Sequence, residues 1–310
     1  HHLTMYIDLI WSKGVLSRSQ YSRMATRDTV RSNVIHELIR KANEDDSIIT
    51  PTGKLLGFLW LRSTSRRGTK YTDIDVFARN LNRLERDIIL ITSDGDRPTP
   101  SSYQAETVKL ILQCKNVVAW KTQNYDGTIK DSKIGFYPIG LDLHSRQKLI
   151  GCKEQIQYLL TATEPISQRD TSHVFCDAHL NAKTHPSRKR LKPVLGKNER
   201  IVFLPRRVDW RDLIQHYRRY KFIISPPGAG LDCHRHWEAM LVGCIIITLT
   251  GPLDDLWATH DLPVVTLGGW EELNTDTERK LGFWLRKFEH LTPKSLLPKF
   301  KSAFWMTHGL

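Results

Sequence analysis

Residues 222–247 read Phe222-Ile-Ile-Ser-Pro-Pro-Gly-Ala-Gly-Leu-Asp-Cys-His-Arg-His-Trp-Glu-Ala-Met-Leu-Val-Gly-Cys-Ile-Ile-Ile. A short apolar run meets a proline–glycine turn, then a segment of helical spacing, a glycine stop and a second apolar run. That order is strand, turn, helix, strand, the repeating unit of an α/β protein. The spacing predicts a helix over Leu231–Val242. Gly228 and Gly230 let the backbone bend and approach a ligand without side-chain clash. The start of a helix directs free N–H groups and a positive dipole end toward that turn, which suits a pyrophosphate. Arg235 and Glu238 are three apart and share a helix face. An arginine there can fork a phosphate, and a carboxylate one turn later can accept two ribose hydroxyls. Asp232 is placed to cap the helix. The same residues also admit a plain turn followed by an intrahelical ion pair. Cys233 occupies the place of the next glycine in a dinucleotide fingerprint, which disfavours NAD.

Working outward, the chain alternates helices and strands. Helices are expected over Thr26–Lys41, Asp73–Arg86, Tyr103–Leu112 and Trp210–Arg219, with two more at the C-terminal end. Leu55–Leu61 reads as a strand or a short helix. Strands are expected at Asp87–Thr92, Asn116–Trp120, Ile134–Ile139, His173–Cys176, Ile201–Leu204, Lys221–Ile224, Cys244–Leu249 and Pro263–Leu267. Gln147–Arg169 is polar and helical and reads as a connection, and Asn181–Lys192 as a basic loop entering a helix. The domain expectation is an N-terminal α/β domain over residues 1–146, a helical connection over 147–170, and a C-terminal α/β domain over 171–310 whose terminal helices can cross back. Ligands of open α/β sheets sit beyond the carboxyl ends of strands, so the loops there are where chemistry is sought.

At 310 residues the chain exceeds the size of one hydrophobic core, which agrees with two domains. Its 40% hydrophobic and 25% charged residues belong to a folded chain rather than a disordered one. Lysine plus arginine minus aspartate plus glutamate is 46 − 33 = +13. Such a field attracts polyanions: nucleic acid, an anionic membrane or a phosphorylated small molecule. The apolar run Ala239–Leu249 is too short to span a bilayer. His1-His2-Leu3-Thr4 reads as a tag remnant before Met5, with no secretion signal after it. The five cysteines, Cys114, Cys152, Cys176, Cys233 and Cys244, form no CxxC pair, which disfavours zinc and disulfides and suits a reducing, cytoplasmic compartment.

The run Ser225 to Ile245 resembles the signature of exostosin-like glycosyltransferases, closest to compact members encoded by large algal viruses. Ile91-Thr-Ser-Asp-Gly-Asp96, Trp120-Lys-Thr-Gln-Asn124 and Pro138-Ile-Gly-Leu-Asp-Leu-His144 resemble further segments of that family. Together these place the resemblance roughly over Ile88 to Leu273, leaving the residues before Ile88 and the C-terminal helices uncovered. Ile246 departs from the family's usual proline. The resemblance implies an α/β fold of two Rossmann-like domains facing a central cleft, the glycosyltransferase-B type. It implies inverting transfer of a sugar from a UDP-sugar to a hydroxyl of a glycan acceptor, without a tightly bound metal or other cofactor. Xylose is the first donor sugar to consider, and a viral origin would place the enzyme in the host cytoplasm. Carried over, Gly228, Gly230 and Arg235 face the diphosphate and Glu238 the ribose, with Ser225, Pro227 and Asp232 completing the turn.

An inverting transfer needs a general base for the acceptor hydroxyl and neutralisation of the leaving diphosphate. Asp94 and Asp96, after an apolar strand, are the candidate bases, although Ser-Asp-Gly-Asp is also a good turn sequence. Asp142, His144 and Asn124 are candidate acceptor contacts. His179, Arg188 and Arg206 follow strands of the second half and are candidate donor contacts. Asp94-Gly95-Asp96 is formally a DxD, and a divalent ion there is chemically sensible, but the phosphate-facing features lie in the other half. Trp60, Trp120, Trp210, Trp237, Trp270 and Trp284 read as core, with Trp120 the best candidate sugar platform. Two other readings stay open: a basic nucleic-acid-binding protein, against which stands the absence of a basic helix or zinc pattern, and a sugar-nucleotide-binding relative without catalysis.

Overall fold

The computed structural model describes residues 9–11, 32–63, 73–143, 152–163, 168–177 and 185–310. The chain divides into two compact units, one reaching Ile139 and including Lys301–Leu310, the other Gly140–Phe300. Each carries its own parallel sheet flanked by helices, the α/β class expected. The second unit takes in Gly140 and the helix Cys152–Ala162, so the segment read as a connection is part of its packing.

The first unit runs α1 (Ser32–Asn43), β1 (Ile48–Ile49), β2 (Leu55–Arg62), α2 (Asp73–Ala78), β3 (Ile88–Ser93), α3 (Ala105–Gln113), β4 (Val117–Thr122) and β5 (Ile134–Phe136). Its sheet has the order β1-β2-β3-β4-β5, with β1 antiparallel to β2 and the other pairs parallel. Every residue of β3 is buried, as a strand covered on both faces requires. The expected helix Asp73–Arg86 stops early. Asn80 donates its side-chain amide to Val76 O, competing with the helical ladder, and a separate 3₁₀ turn covers Leu81–Arg83. The last helix, Ser302–Thr307, belongs to this unit, and Lys121 Nζ donates to His308 O.

The second unit runs α4 (Cys152–Ala162), β6 (Asp170–Cys176), α5 (Pro186–Lys189), α6 (Leu191–Leu195), β7 (Ile201–Phe203), α7 (Trp210–Arg219), β8 (Tyr220–Ile224), α8 (His234–Leu241), β9 (Ile245–Leu249), α9 (Asp254–Thr259), β10 (Val264–Leu267), α10 (Thr277–Lys287) and α11 (Pro293–Leu296). All five strands are parallel, in the order β10-β9-β8-β6-β7. The chain builds outward from β6 to β7, then crosses back to β8 and continues to β9 and β10. The winding therefore reverses between β6 and β8, which makes that gap the topological switch point, where doubly wound sheets open a crevice at their carboxyl ends. Cys176 and Ile224 are register partners there.

Local sequence explains these helices. Asp209 accepts the N–H of Asp212 and caps α7, whose Trp210, Ile214 and Tyr217 bury one stripe. Helix α8 begins at His234, with Cys233 at its N-cap position, rather than at Leu231, and Asp232 is not its cap. The Asp232 carboxylate instead accepts Cys233 N–H at 3.0 Å and the Trp237 indole at 2.8 Å, which holds the residue outside the first turn. The end of α8 is set by Gly243, whose φ of 99° is left-handed. Arg169, just before β6, donates to Val242 O at 2.9 Å and to Tyr217 O and Tyr220 O at 2.6 and 3.0 Å. One guanidinium thus satisfies the carbonyl ends of both α7 and α8, where a cation is favoured.

A side chain at Gly243 meets two penalties, its left-handed backbone and the Arg169 guanidinium against it. Gly243→Ala is expected to destabilise the protein by about 1–3 kcal/mol, read from the midpoint of urea unfolding; an unchanged midpoint would contradict this account of the junction.

Candidate functional site

The glycine turn leaves β8 at the switch point. Ser225, fully buried, continues the sheet through its N–H to Ile247 O at 2.9 Å, and its hydroxyl lies 2.6 Å from His236 Nδ1. That contact ties the start of the turn to the first turn of α8. Neither Gly228 nor Gly230 has a left-handed φ, so the turn does not need glycine for its backbone angles. Gly228 matters for space. A Cβ there would lie 3.1 Å from Arg188 Nη2 and 3.4 Å from Cys233 Sγ.

Arg188, on α5, donates through Nε to Pro227 O at 3.0 Å. Arg235, on α8, pairs through Nε with Asp177, 3.0 Å from Oδ1 and 3.3 Å from Oδ2. Asp177 follows β6 and also accepts the Tyr217 hydroxyl at 2.8 Å. Each guanidinium is held through Nε, Arg188 lies against Gly228, and the terminal nitrogens of both have no protein acceptor among the described residues. Burial followed by the nearby Arg235 charge lowers the Arg188 pKa, the mark of cations held close together. Burial also opposes the charge on Arg235, but the Asp177 carboxylate overrides it and raises that pKa.

Burial, then the Arg235 and Arg188 charges, pushes His236 down to about 3, so it is neutral at physiological pH. Burial pushes the Cys233 thiol up to about 11, which keeps it protonated.

Glu238 is 4% exposed. Its Oε2 accepts the Trp210 indole at 3.1 Å and its Oε1 the Asp142 N–H at 3.4 Å. Arg235 and Glu238 are thus not an intrahelical pair, since each serves a different neighbour. Asp142 lies in the second unit, its carbonyl receiving Gln155 of α4. Arg206 follows the edge strand β7 and is exposed. His144 and His179 lie outside the described residues.

In the first unit, two of the sequence motifs form one body. Gln123 and Asn124 each donate a side-chain amide to Gly95 O at 2.9 Å, and Gln123 Oε1 accepts Asp94 N–H at 3.1 Å. Asn124, read as an acceptor contact, is 2% exposed and its amide is used on this loop. Asp94 sits at a φ of 62°, its carboxylate 3.3 Å from a buried Arg62. Asp96 is exposed. Trp120, read as a sugar platform, is fully buried, bonded to Thr92 Oγ1 at 3.0 Å and stacked on Tyr103. It belongs to the core because its indole N–H has a hydroxyl partner inside.

Among the described residues, no group of three or more His, Cys, Asp and Glu is placed to hold a metal ion, and no helix is long and apolar enough to cross a membrane. A groove of about 940 Å³ lies away from the glycine turn, lined by charged residues that precede β7 and open α10, among them Lys197, Arg200 and Glu278. It sits at the amino ends of the strands, the opposite edge from the switch point.

No protein-family model matches the chain. No curated protein matches it either. Among solved structures it is similar to apo OtsA, at 13% identity over 98% of this chain and 83% of that one, with a TM-score of 0.45. It is also similar to a UDP-forming α,α-trehalose-phosphate synthase from Burkholderia xenovorans, at 12% identity, 94% and 77% coverage and a TM-score of 0.42. A third is a trehalose-6-phosphate synthase studied for glycosyl transfer with retention, at 12% identity, 98% and 83% coverage and a TM-score of 0.43. Likeness at this level says nothing about this chain's chemistry, which is read from its own residues.

Sequence reasoning did not single out Asp177, Arg169 or Tyr217. Asp177 had a usable signal, an acidic residue directly after a strand of the second half. The His236 environment sets a pH dependence. Its folded pKa lies below the unfolded value, so its contribution is present above about pH 6.5 and is lost as pH falls toward 3. Unfolding free energy should fall in that window by up to about 1.4 kcal/mol per pH unit more in the wild type than in His236→Gln. Parallel pH profiles by denaturant titration would rule this out.

Proposed function

We propose that the chain is a nucleotide-sugar-dependent glycosyltransferase whose donor diphosphate binds between Arg188 and Arg235 at the Gly228 turn. One observation carries the reading: two guanidiniums, each fixed through Nε and each with terminal nitrogens free of protein acceptors among the described residues, are held at the switch point of a parallel sheet, Arg188 on the glycine turn and Arg235 on the residue after β6. Fixed, partly desolvated donors that keep their charge suit a leaving diphosphate, because they need no reorganisation as negative charge develops. They also supply the neutralisation that a divalent ion supplies elsewhere, so the transfer is proposed to run without metal. Asp94 of the formal DxD is paired with Arg62, which supports the same view.

The donor is proposed to be a UDP-sugar, with UDP-xylose the first to test, and the acceptor a glycan hydroxyl. Ser225, Pro227 and Gly230 shape the turn, and Asp232 braces it through Trp237. Glu238, one turn along α8 from Arg235, is assigned to the ribose. Of the two candidate bases, the exposed Asp96 is preferred to Asp94, whose carboxylate is engaged by Arg62. Inversion is what the exostosin-like resemblance implies, and the anomeric configuration of the product, read by NMR, decides between inversion and retention.

Arg188→Ala and Arg235→Ala are each expected to weaken UDP by about 1.5–3 kcal/mol, roughly ten- to a hundredfold in Kd by calorimetry. Uridine, lacking phosphate, should bind both variants like wild type. Gly228→Val, which displaces Arg188, should mimic Arg188→Ala. Equal loss for uridine and UDP would move the diphosphate elsewhere, and equal stabilisation by GDP and dTDP would remove the UDP assignment. Asp96→Asn should keep UDP affinity and lower UDP release from UDP-xylose by about 100-fold or more.

A further inference from the structure

The donor reading leaves one acidic residue unexplained. Asp177 stands directly after β6, next to the start of the glycine turn, where negative charge disfavours a diphosphate by simple electrostatics. Its carboxylate nevertheless meets two partners, Arg235 Nε at 3.0 Å and the Tyr217 hydroxyl at 2.8 Å, and its side chain is 4% exposed. Tyr217 comes from α7, Arg235 from α8 and Asp177 from the sheet, so three elements meet on one carboxylate.

Resting on that donor reading, we propose that Asp177 is a positioning residue: it clamps Arg235 through Nε, with Tyr217 fixing the carboxylate, so that the terminal guanidinium nitrogens are presented to the donor diphosphate. A guanidinium is planar, so holding one nitrogen on a fixed carboxylate restricts the plane of all three. The conformational freedom of an unclamped arginine side chain is removed before the ligand arrives, which lowers the ordering cost of binding. Burial of Asp177 also explains why the pair persists, since a lone buried guanidinium is costly.

The sign of one substitution separates positioning from charge. Asp177→Ala removes a negative charge beside the diphosphate, so electrostatics alone predicts tighter UDP binding. Positioning predicts UDP binding about tenfold weaker, with uridine unchanged. Asp177→Glu keeps the charge but moves it one methylene, and should also weaken UDP, by about fivefold; this variant carries the test should the alanine variant not fold. In an Arg235→Ala background neither substitution should change UDP affinity by more than about twofold, because Asp177 acts through Arg235. UDP binding that is tighter or unchanged in Asp177→Ala, unchanged in Asp177→Glu, or equally weakened with and without Arg235 overturns the clamp. Should wild type itself fail to bind UDP, or Arg235→Ala bind it normally, the donor site falls and the clamp with it.

Discussion

Withdrawing a guanidinium from water is costly unless it is met by acceptors, and in the second unit Arg235 at the start of α8 meets the carboxylate of Asp177 at the end of β6. That pair fixes how the helix after the glycine turn lies against the sheet. Tyr217 adds its hydroxyl to the same carboxylate, which draws α7 into the arrangement, and burial followed by the Asp177 charge raises the Tyr217 pKa so that it stays a donor. Arg169 performs the complementary task at the other end, holding the carbonyl termini of α7 and α8 together. The turn between β8 and α8 is therefore tied at its start by Ser225 and His236, and along its length by Arg188 on Pro227 O. A rigid turn of this kind can present donors without ordering cost when a ligand arrives.

Topology decides why this place and not another. In the second sheet the winding reverses between β6 and β8, so the connections leave those strands in opposite directions and open a gap above their carboxyl ends. Asp177, the glycine turn and the helix α5 that bears Arg188 all follow those two strands. The first sheet runs β1 to β5 in chain order and has no such reversal among its described strands. Its strand ends are closed by a buried polar network instead. Trp60 bonds Ser93, Trp120 bonds Thr92, and Thr92 and Thr99 both reach Thr122. Such a network, fully partnered, specifies one arrangement of the loop that carries Asp94 and Asp96.

The two units thus use similar materials differently. In the first, the strand-end residues of Ile91–Asp96 and Trp120–Asn124 are largely engaged with one another, and the loop's exposed acidic side chain is Asp96. In the second, Arg188 and Arg235 keep terminal nitrogens without a protein acceptor among the described residues. The excess of positive charge in the chain as a whole names no partner; at the Gly228 turn two of its arginines are held in fixed places.

Much of this was legible in the amino-acid order. Strands such as Ile88–Ser93 and Ile245–Leu249 announce themselves because a strand buried on both faces must be continuously apolar. Helix Trp210–Arg219 carries its own cap and stripe, and the order strand, glycine turn, helix, strand is readable across residues 222–247. Asp232 as a cap, Trp120 as a platform and Asn124 as an acceptor contact all went the other way, for one reason. A side chain's partner is chosen by what the fold brings beside it, and Asp232 meets Trp237, Trp120 meets Thr92, and Asn124 meets Gly95. Asp177 and Arg235 are 58 positions apart, and no local pattern links them. Which segments become strands and helices is largely written in the amino-acid order, because that depends on neighbours a few residues away. The pairing of β6 with β8, and hence which charges face the turn, was decided only when the sheet assembled.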